Sequence, residues 1–222
     1  MYPPVTSPFV ALMVLMLVVV FALLEIGIIE TAYSKLGVSH RAISVLLFAT
    51  LVGSYLNIPI ATVHAHNMMQ QDQIVTAFGI AHIVPHASYP HETVIAINVG
   101  GALIPALLSL YLVIEFGFYI SALVATALVS FVVYQFSQLV PGVGIAVPTL
   151  LPGMFAAIVT YLLDRQRAPA LAYVAGTMGC LLGADIFNLG HIYKLGAPVA
   201  SIGGAGTFDG VFVSGIVAVL LA

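Results

Sequence analysis

The sequence predicts an all-α membrane protein, a polytopic bundle of about seven transmembrane helices with a small β-prone outer loop. Of the 222 residues, 62% are hydrophobic and only 6% are charged, a balance that would leave a water-soluble domain with large exposed apolar patches. Several apolar runs reach the roughly 20 residues that a helix needs to cross a bilayer. Because backbone hydrogen bonds must close internally in lipid, these runs predict helices, whereas a membrane barrel would show short alternating segments.

Seven spans follow from the apolar runs, and together they form a single integral membrane domain over residues 1–222. The first is interpreted as a retained helix, because it is too long for a signal-peptide core and no basic residue precedes it. Glycine and proline interrupt several spans, which is typical of helices that line a cavity. The predicted spans are residues 8–33, 42–64, 98–116, 118–139, 143–163, 169–189 and 203–222.

The loops predict an orientation and an outer cap. Four of the five basic residues fall in the odd-numbered loops, which places the N-terminus outside and the C-terminus inside. The second loop, about residues 65–97, holds β-prone runs at 73–84 and 93–97 on either side of a turn-forming segment at 85–90. A β-hairpin cap is the simplest interpretation, and a short re-entrant segment is the alternative.

Two aspartates within the apolar runs are the strongest functional candidates. An ionisable side chain in a span costs about 2.5–3.5 kcal/mol on insertion scales, so each is a candidate by default. Asp185 lies near the end of the sixth span and Asp209 near the start of the seventh, which puts both toward the outer side. The short connection predicts that these antiparallel helices pack side by side. The sequence therefore predicts a pair of catalytic carboxylates, and helix capping is the alternative.

Other polar and small residues are expected around this pair. Asn57, Asn98 and Asn188 fall at similar depth and are candidate substrate-binding residues, although asparagines in spans often only join helices. Gly206 and Gly210 belong to a small-residue stripe that admits a close neighbour beside Asp209. Asp185 lies about 200° around an ideal helix from Gly183, so the sequence leaves open whether it faces Asp209.

The sequence gives little support for a metal site, a cofactor or nucleic-acid binding. Five histidines lie in or beside the outer loop with Asp72 and Glu92, but their spacing matches no established metal signature, so we expect neither a metal site nor a cofactor. The only cysteine, Cys180, excludes an intrachain disulfide. The net charge of −3 makes nucleic acid an improbable partner. The expected partners are the lipid bilayer and a membrane-protein or small-solute substrate, and the sequence does not indicate an oligomeric state.

Stretches across nearly the whole chain resemble the uncharacterised prokaryotic membrane family DUF1614. They are residues 98–105, 141–148, 183–185 and 197–210, rich in glycine and proline. The resemblance implies a multi-pass protein of a prokaryotic cytoplasmic membrane and supplies no activity.

Asp185 and Asp209 also resemble, more loosely, the paired aspartates of presenilin and signal-peptide-peptidase-type intramembrane proteases. Those enzymes carry one aspartate on each of two consecutive helices near the connecting loop, and the glycine-rich residues 203–208 are similar to their second motif. Ala184 stands where those enzymes have tyrosine. Pro148, in the run Pro-Thr-Leu, is similar to their Pro-Ala-Leu motif but precedes the aspartates here. The resemblance implies aspartyl proteolysis with Pro148 near the substrate.

Two functions follow. In the first, Asp185 and Asp209 share a proton and hydrolyse a membrane substrate, because two close carboxylates in low dielectric cannot easily both ionise. In the second, the same carboxylates bind the coupling proton or cation of a small-solute transporter or channel. A noncatalytic membrane scaffold is the third, simpler alternative.

Overall fold

The computed structural model describes residues 28–37, 39–64, 73–77, 80–84, 92–140, 144–194, 197–204 and 210–222. Groups of helices and strands follow one another along the chain, and two α-helices are extended by π-helical segments, one at its start and one at its end. The helices are α1 (Ile28–Lys35), α2 (His40–Gly53), α3 (Ile104–Phe116), α4 (Tyr119–Phe136), α5 (Leu151–Leu163), α6 (Ala168–Cys180) and α7 (Gly210–Leu221). The π-helical segments are π1 (Val99–Leu103), which leads into α3, and π2 (Leu181–Ile186), which continues α6, while a 3-10 helix covers Leu189–Lys194. The strands are β1 (Asn57–His64), β2 (Gln73–Ala77), β3 (Ile80–Val84), β4 (Glu92–Asn98), β5 (Gln138–Val140), β6 (Gly144–Ala146) and β7 (Val199–Ile202).

Helix α6 is the centre of the bundle and contacts α3, α4, α5 and α7. With π2 it forms an apolar stretch that is 72% buried within the protein, whereas α4 is only 28% buried. Small residues permit this packing: a Cβ atom on Gly176 would lie 3.0 Å from the Ser214 carbonyl oxygen of α7, and one on Gly179 would lie 2.5 Å from Val129 of α4. Exposed Ile120, Leu123 and Phe131 cover the outer face of α4, as expected of a lipid-facing helix.

Three helical stretches in the described part of the chain have the length and apolar composition to cross a membrane: Val99–Phe116, Tyr119–Phe136 and Ala168–Ile186. They agree with the predicted third, fourth and sixth spans. Helix α5 is apolar but shorter than predicted, because it begins only at Leu151, and of the predicted seventh span the apolar helix α7 is described from Gly210 onward. Of the predicted first span, the described residues are those of α1 from Ile28 onward. The structure thus supports an integral membrane protein but not the count of seven spans.

The second predicted span is wrong in its C-terminal half. Helix α2 ends at Gly53, and residues 57–64 form strand β1. The sequence there is apolar enough to suggest a span, but it is rich in β-branched residues, and Pro59 cannot supply a helical N–H. Strand β1 satisfies its backbone by antiparallel pairing with β4, with an irregularity between Pro59 and Ala61.

The strands form a three-stranded sheet and two hairpins. In the larger sheet, β4 lies between β1, to which it is antiparallel, and β7, to which it is parallel. Strands β2 and β3 pair as a hairpin, as do β5 and β6. The β-prone runs predicted in the outer loop are therefore confirmed as β2, β3 and β4. The predicted hairpin between the two runs is wrong, because the first run folds back on itself as β2 and β3 while β4 pairs with β1 and β7. The turn predicted at residues 85–90 lies outside the described residues.

The two ends of the bundle differ. At one end, the Arg167 Nη1 donates to the Phe116 carbonyl at 2.7 Å and the Lys35 Nζ donates to the Val219 carbonyl at 3.3 Å. Arg165 lies over the ring of Tyr161 at the same end, 4.8 Å from its centroid. We call this the basic end. The other end, which we call the strand end, carries π1, π2 and the strands.

Candidate functional site

A cavity of about 450 Å³ lies at the strand end, where π2, β6, β7 and the start of α7 meet. Most of the described residues that line it are glycine or aliphatic, and Asp185 is the charged residue among them. Hydroxyls of Thr149 and Ser201 and the thiol of Cys180 supply further polar groups. The remaining lining residues are Gly144, Ile145, Ala146, Val147, Ala184, Leu189, Ile192, Ala197, Val199, Ala200, Ile202, Gly204, Gly210 and Val211.

Asp185 reaches the cavity because α6 changes to a π-helix before it ends. The Phe187 N–H donates to the Leu182 carbonyl at 2.9 Å, a five-residue hydrogen bond of π-helical type. Gly183 packs against α4 beside Ser130, while Asp185 lines the cavity. The two residues thus face different neighbours, in line with their predicted angular separation. Single-turn π-helical segments are found frequently at functional sites.

Gly203 fixes the carboxylate of Asp185. Its N–H donates to the Oδ2 of Asp185 at 2.7 Å, and its backbone has a left-handed φ of 82°. Its carbonyl lies so close to Gly101 of π1 that any side chain at Gly101 would collide with it. A Cβ atom on Gly203 would in turn lie 2.6 Å from the Ala102 nitrogen. Glycine is therefore required at both positions. Gly203, directly after β7, packs against π1 and donates to Asp185 of π2, and we call this arrangement the clamp.

Two of the three predicted asparagines belong to one network beside the cavity. Asn98 is fully buried, and its Nδ2 donates to the Ser54 carbonyl at 2.7 Å and to the Oδ1 of Asn57 at 3.1 Å. Its Oδ1 accepts from the Gly101 N–H at 2.7 Å, which caps π1. The Oδ1 of Asn57 also accepts from the Ser201 hydroxyl at 2.6 Å, and Ser201 is on the cavity wall. The network therefore joins π1, β1 and β7.

Asn188 lies apart from this network. Its Nδ2 donates to the Ala184 carbonyl at 2.9 Å and to the Ser137 hydroxyl at 3.0 Å. It thus closes the end of π2 against the end of α4, and it is not one of the cavity-lining residues. The structure places this side chain in a helix-terminating role.

Of the remaining predicted site residues, the structure describes Gly210 and Pro148. Gly210 lines the cavity at the start of α7, and Pro148 lies between the lining residues Val147 and Thr149. Asp209 and Gly206 lie outside the described residues, so the separation of the two carboxylates is not defined. Asp209 immediately precedes Gly210 in the chain.

Four residues at the site were not predicted as site residues: Cys180, Thr149, Ser201 and Gly203. A signal existed for Gly203, because the consecutive glycines at 203–204, like those at 100–101, indicate close backbone approach. No comparable signal marked Ser201, because its strand was not predicted.

No group of three or more potential metal ligands occurs among the described residues. Exposed His64 of the outer strand pair lies 3.5 Å from the Glu92 carboxylate across β1 and β4. His66, His86 and His91 lie outside the described residues, and for His82 only the backbone, in β3, is described. The expectation that the outer loop holds no metal remains a prediction.

Comparison with known proteins identifies the family and gives no activity. No curated protein and no solved structure matches the chain significantly. A family model described as protein of unknown function (DUF1614) matches residues 51–221, which include all the strands, the cavity and the helices from α3 onward. The chain therefore belongs to the DUF1614 family.

Proposed function

We propose that the protein is an intramembrane aspartyl-type protease in which Asp185 and Asp209 form the catalytic pair. One observation carries the proposal: Asp185 and Gly210, the residue that follows Asp209, line the same cavity. Consecutive Cα atoms are about 3.8 Å apart, so a residue directly before Gly210 is close enough for its side chain to reach the same cavity, and we propose that Asp209 does so. Asp185 is half-buried, and an ionisable residue in an apolar membrane protein is costly, which favours a functional role for this carboxylate.

In the proposed reaction, one carboxylate takes a proton from a water molecule as the water oxygen attacks the peptide carbonyl carbon. The other, protonated, carboxyl group donates its proton to the carbonyl oxygen, which gives a neutral tetrahedral intermediate. Transfer of a proton to the amide nitrogen then breaks the C–N bond and releases an amine and a carboxylic acid. Two close carboxylates that share one proton supply both roles. The Gly203 N–H holds Oδ2 of Asp185, so this side chain is preoriented.

The distribution of charge supports a membrane orientation for this site. The basic end carries Lys35, Arg165 and Arg167, and basic residues favour the cytoplasmic side. The cavity would then open toward the outer face of a cytoplasmic membrane, with the C-terminus inside. There, water can enter from the strand end while α4 and its neighbours face lipid.

The direct test uses purified protein in proteoliposomes with a pool of synthetic transmembrane peptides, and mass spectrometry to detect cleavage products. Asp185→Asn and Asp209→Asn are each expected to abolish cleavage. The amide oxygen that Asp185→Asn introduces can still accept from the Gly203 N–H, so the fold should persist. Asp164→Asn, at the basic end, is the matched control and should retain activity. Full cleavage by both active-site variants would refute the proposal.

A proton- or cation-coupled transporter or channel for small solutes is the second candidate. The observation that favours it is the pair of π-helical segments, because interrupted helices commonly surround transport sites. In this case proteoliposomes would show solute uptake driven by a proton or sodium gradient, and Asp185→Asn would abolish it. If uptake occurred without cleavage, transport would replace proteolysis as the proposed function. Cleavage without uptake would rule out transport.

A further inference from the structure

We propose that the cavity binds its substrate as an extended polypeptide strand, added to the open edge of β7 beside Asp185. This inference rests on the proposed function, because it names the conformation and class of substrate at the same cavity. It adds a binding element, the edge of β7, that takes no part in the chemistry assigned to the aspartates.

The cavity borders a strand edge. In a strand, successive side chains point to opposite faces, so a cavity on one face would be lined by alternate residues. Here four consecutive residues line it, Val199 to Ile202, which are the whole of β7. The whole of β6, Gly144–Ala146, lines it in the same way. Both strands thus present an edge to the cavity.

The register of β7 shows which backbone groups face this edge. The Val94 N–H donates to the Pro198 carbonyl at 3.0 Å, and Val94 is aligned with Val199. In a parallel ladder this arrangement directs the N–H of Ala200 toward β4 and turns the N–H groups of Val199 and Ser201 away from it. In the described part of the chain, β4 is the strand that pairs with β7, and no strand pairs on the other side. On that side the Ser201 carbonyl accepts from the Gly204 N–H at 3.2 Å, so the edge offers the N–H and carbonyl of Val199 and the N–H of Ser201.

The chemistry of this edge selects the substrate class. Unpaired donors and acceptors along a strand form a template that an extended peptide backbone satisfies, and pockets beside it receive alternate side chains. The walls supply aliphatic contacts from Ile145, Val147 and Ile192, which suit apolar side chains. An added strand lies about 4.8 Å from the edge that it pairs with. Asp185, held by Gly203 immediately after β7, is then beside the backbone of the bound segment.

The inference is tested by peptide binding to the full-length protein in detergent. The probe is an acetylated and amidated Val-Thr-Val-Thr-Val peptide with a fluorescent label, and its twin is N-methylated at every internal amide. N-methylation removes the backbone donors and keeps the side chains. The parent peptide is expected to bind at least about tenfold more tightly than its twin, because main-chain hydrogen bonds supply the affinity. Equal binding of the two peptides, or binding of neither, would overturn the inference.

Two variants separate this inference from the catalytic proposal. Val199→Pro removes one N–H from the open edge and should weaken binding of the parent peptide several-fold, whereas Val199→Ala keeps the N–H and should bind normally. Val199 lies at the start of β7 and is half exposed, a position where proline is tolerated in a strand. Asp185→Asn should bind the peptide as the unchanged protein does and yet not cleave substrate. If it retained cleavage, the catalytic proposal would fail, while the peptide comparison would still decide the strand-edge inference.

Discussion

The basic end and the strand end of the bundle terminate their helices by different means. At the basic end, exposed Lys35 and Arg167 donate to helix-terminal carbonyls from long, flexible side chains. At the strand end, the buried Asn98 side chain caps π1 by accepting from the Gly101 N–H, and the Gly203 N–H donates to the Asp185 carboxylate of π2. An exposed hydrogen bond at a helix end can be lost at little cost in stability, because water takes the place of the missing side chain. A buried backbone group that loses its partner finds no water to bond.

This contrast shows which end of the protein depends on precise packing. At the basic end, the contacts between helices need only a charged side chain that is long enough to reach a carbonyl group. The strand end positions one carboxylate and one strand edge, and it does so through glycines that permit backbone contact and through buried hydrogen bonds. The cavity with Asp185 lies at this end. The following substitutions measure the difference between the ends.

The largest effect is expected for Gly101→Val at the strand end. The new side chain would collide with the Gly203 carbonyl, a backbone group that cannot move without displacing β7. We expect a loss of on the order of 3 kcal/mol in the free energy of unfolding, measured by thermal or denaturant unfolding in detergent micelles. Gly190→Ala is the control, because open space surrounds Gly190, and it should change stability by less than about 0.5 kcal/mol. Equal stability of the two variants would contradict the proposed clamp.

An intermediate effect is expected for Asn98→Ala. The substitution leaves the buried Ser54 carbonyl and the Gly101 N–H without their partner, at a cost of about 2–3 kcal/mol. Asn57→Ala should cost less, because Asn57 is exposed and water can replace its amide. The same unfolding measurement compares them. If Asn57 proved the more important of the two, burial would not explain the sensitivity of the strand end.

The smallest effect is expected for Arg167→Ala at the basic end. It removes the hydrogen bond to the Phe116 carbonyl and a 3.1 Å ion pair with Asp164, but Arg167 is exposed. We expect a loss of no more than about 1 kcal/mol, reduced further at high salt, in unfolding experiments at two ionic strengths. A loss as large as that of Asn98→Ala would remove the distinction between the two ends.

The sequence predicts individual polar residues near the cavity better than the architecture that brings them there, while their catalytic and substrate-binding roles stay predictions. Asp185 stood out because an ionisable residue in an apolar run is costly, and Asn57 and Asn98 stood out in the same way. Asn188 also lies in an apolar run, but its side chain closes the end of π2. The depth of a residue in a predicted span does not reveal which face of the helix it occupies. The catalytic pairing with Asp209 stays a prediction.

The sheet explains most of what was missed. Strand β1 was taken for half of a span because an apolar run of β-branched residues has the composition of either a strand or a lipid-facing helix. Strand β7 pairs with β4, which lies about a hundred residues earlier in the chain, and no local pattern reveals such a contact. The importance of Ser201 and Gly203 follows from that pairing. Helices α3, α4 and α6 were predictable because their apolar runs are long and local.

The most direct test of the central claim, that Asp185 and Asp209 face each other across the cavity, is a cross-linking measurement. Asp185→Cys and Asp209→Cys are combined in a Cys180→Ala background, which contains no other cysteine. Disulfides need Cα atoms about 4.4–6.8 Å apart, which is too close for two residues on facing walls of a cavity, so a short bifunctional thiol reagent that spans the cavity should cross-link this pair rapidly in membranes. Asp164→Cys with Asp209→Cys, which joins the basic end to the residue before α7, should remain unlinked. Failure of the first pair to cross-link in folded protein, or equal cross-linking of both pairs, would contradict the account.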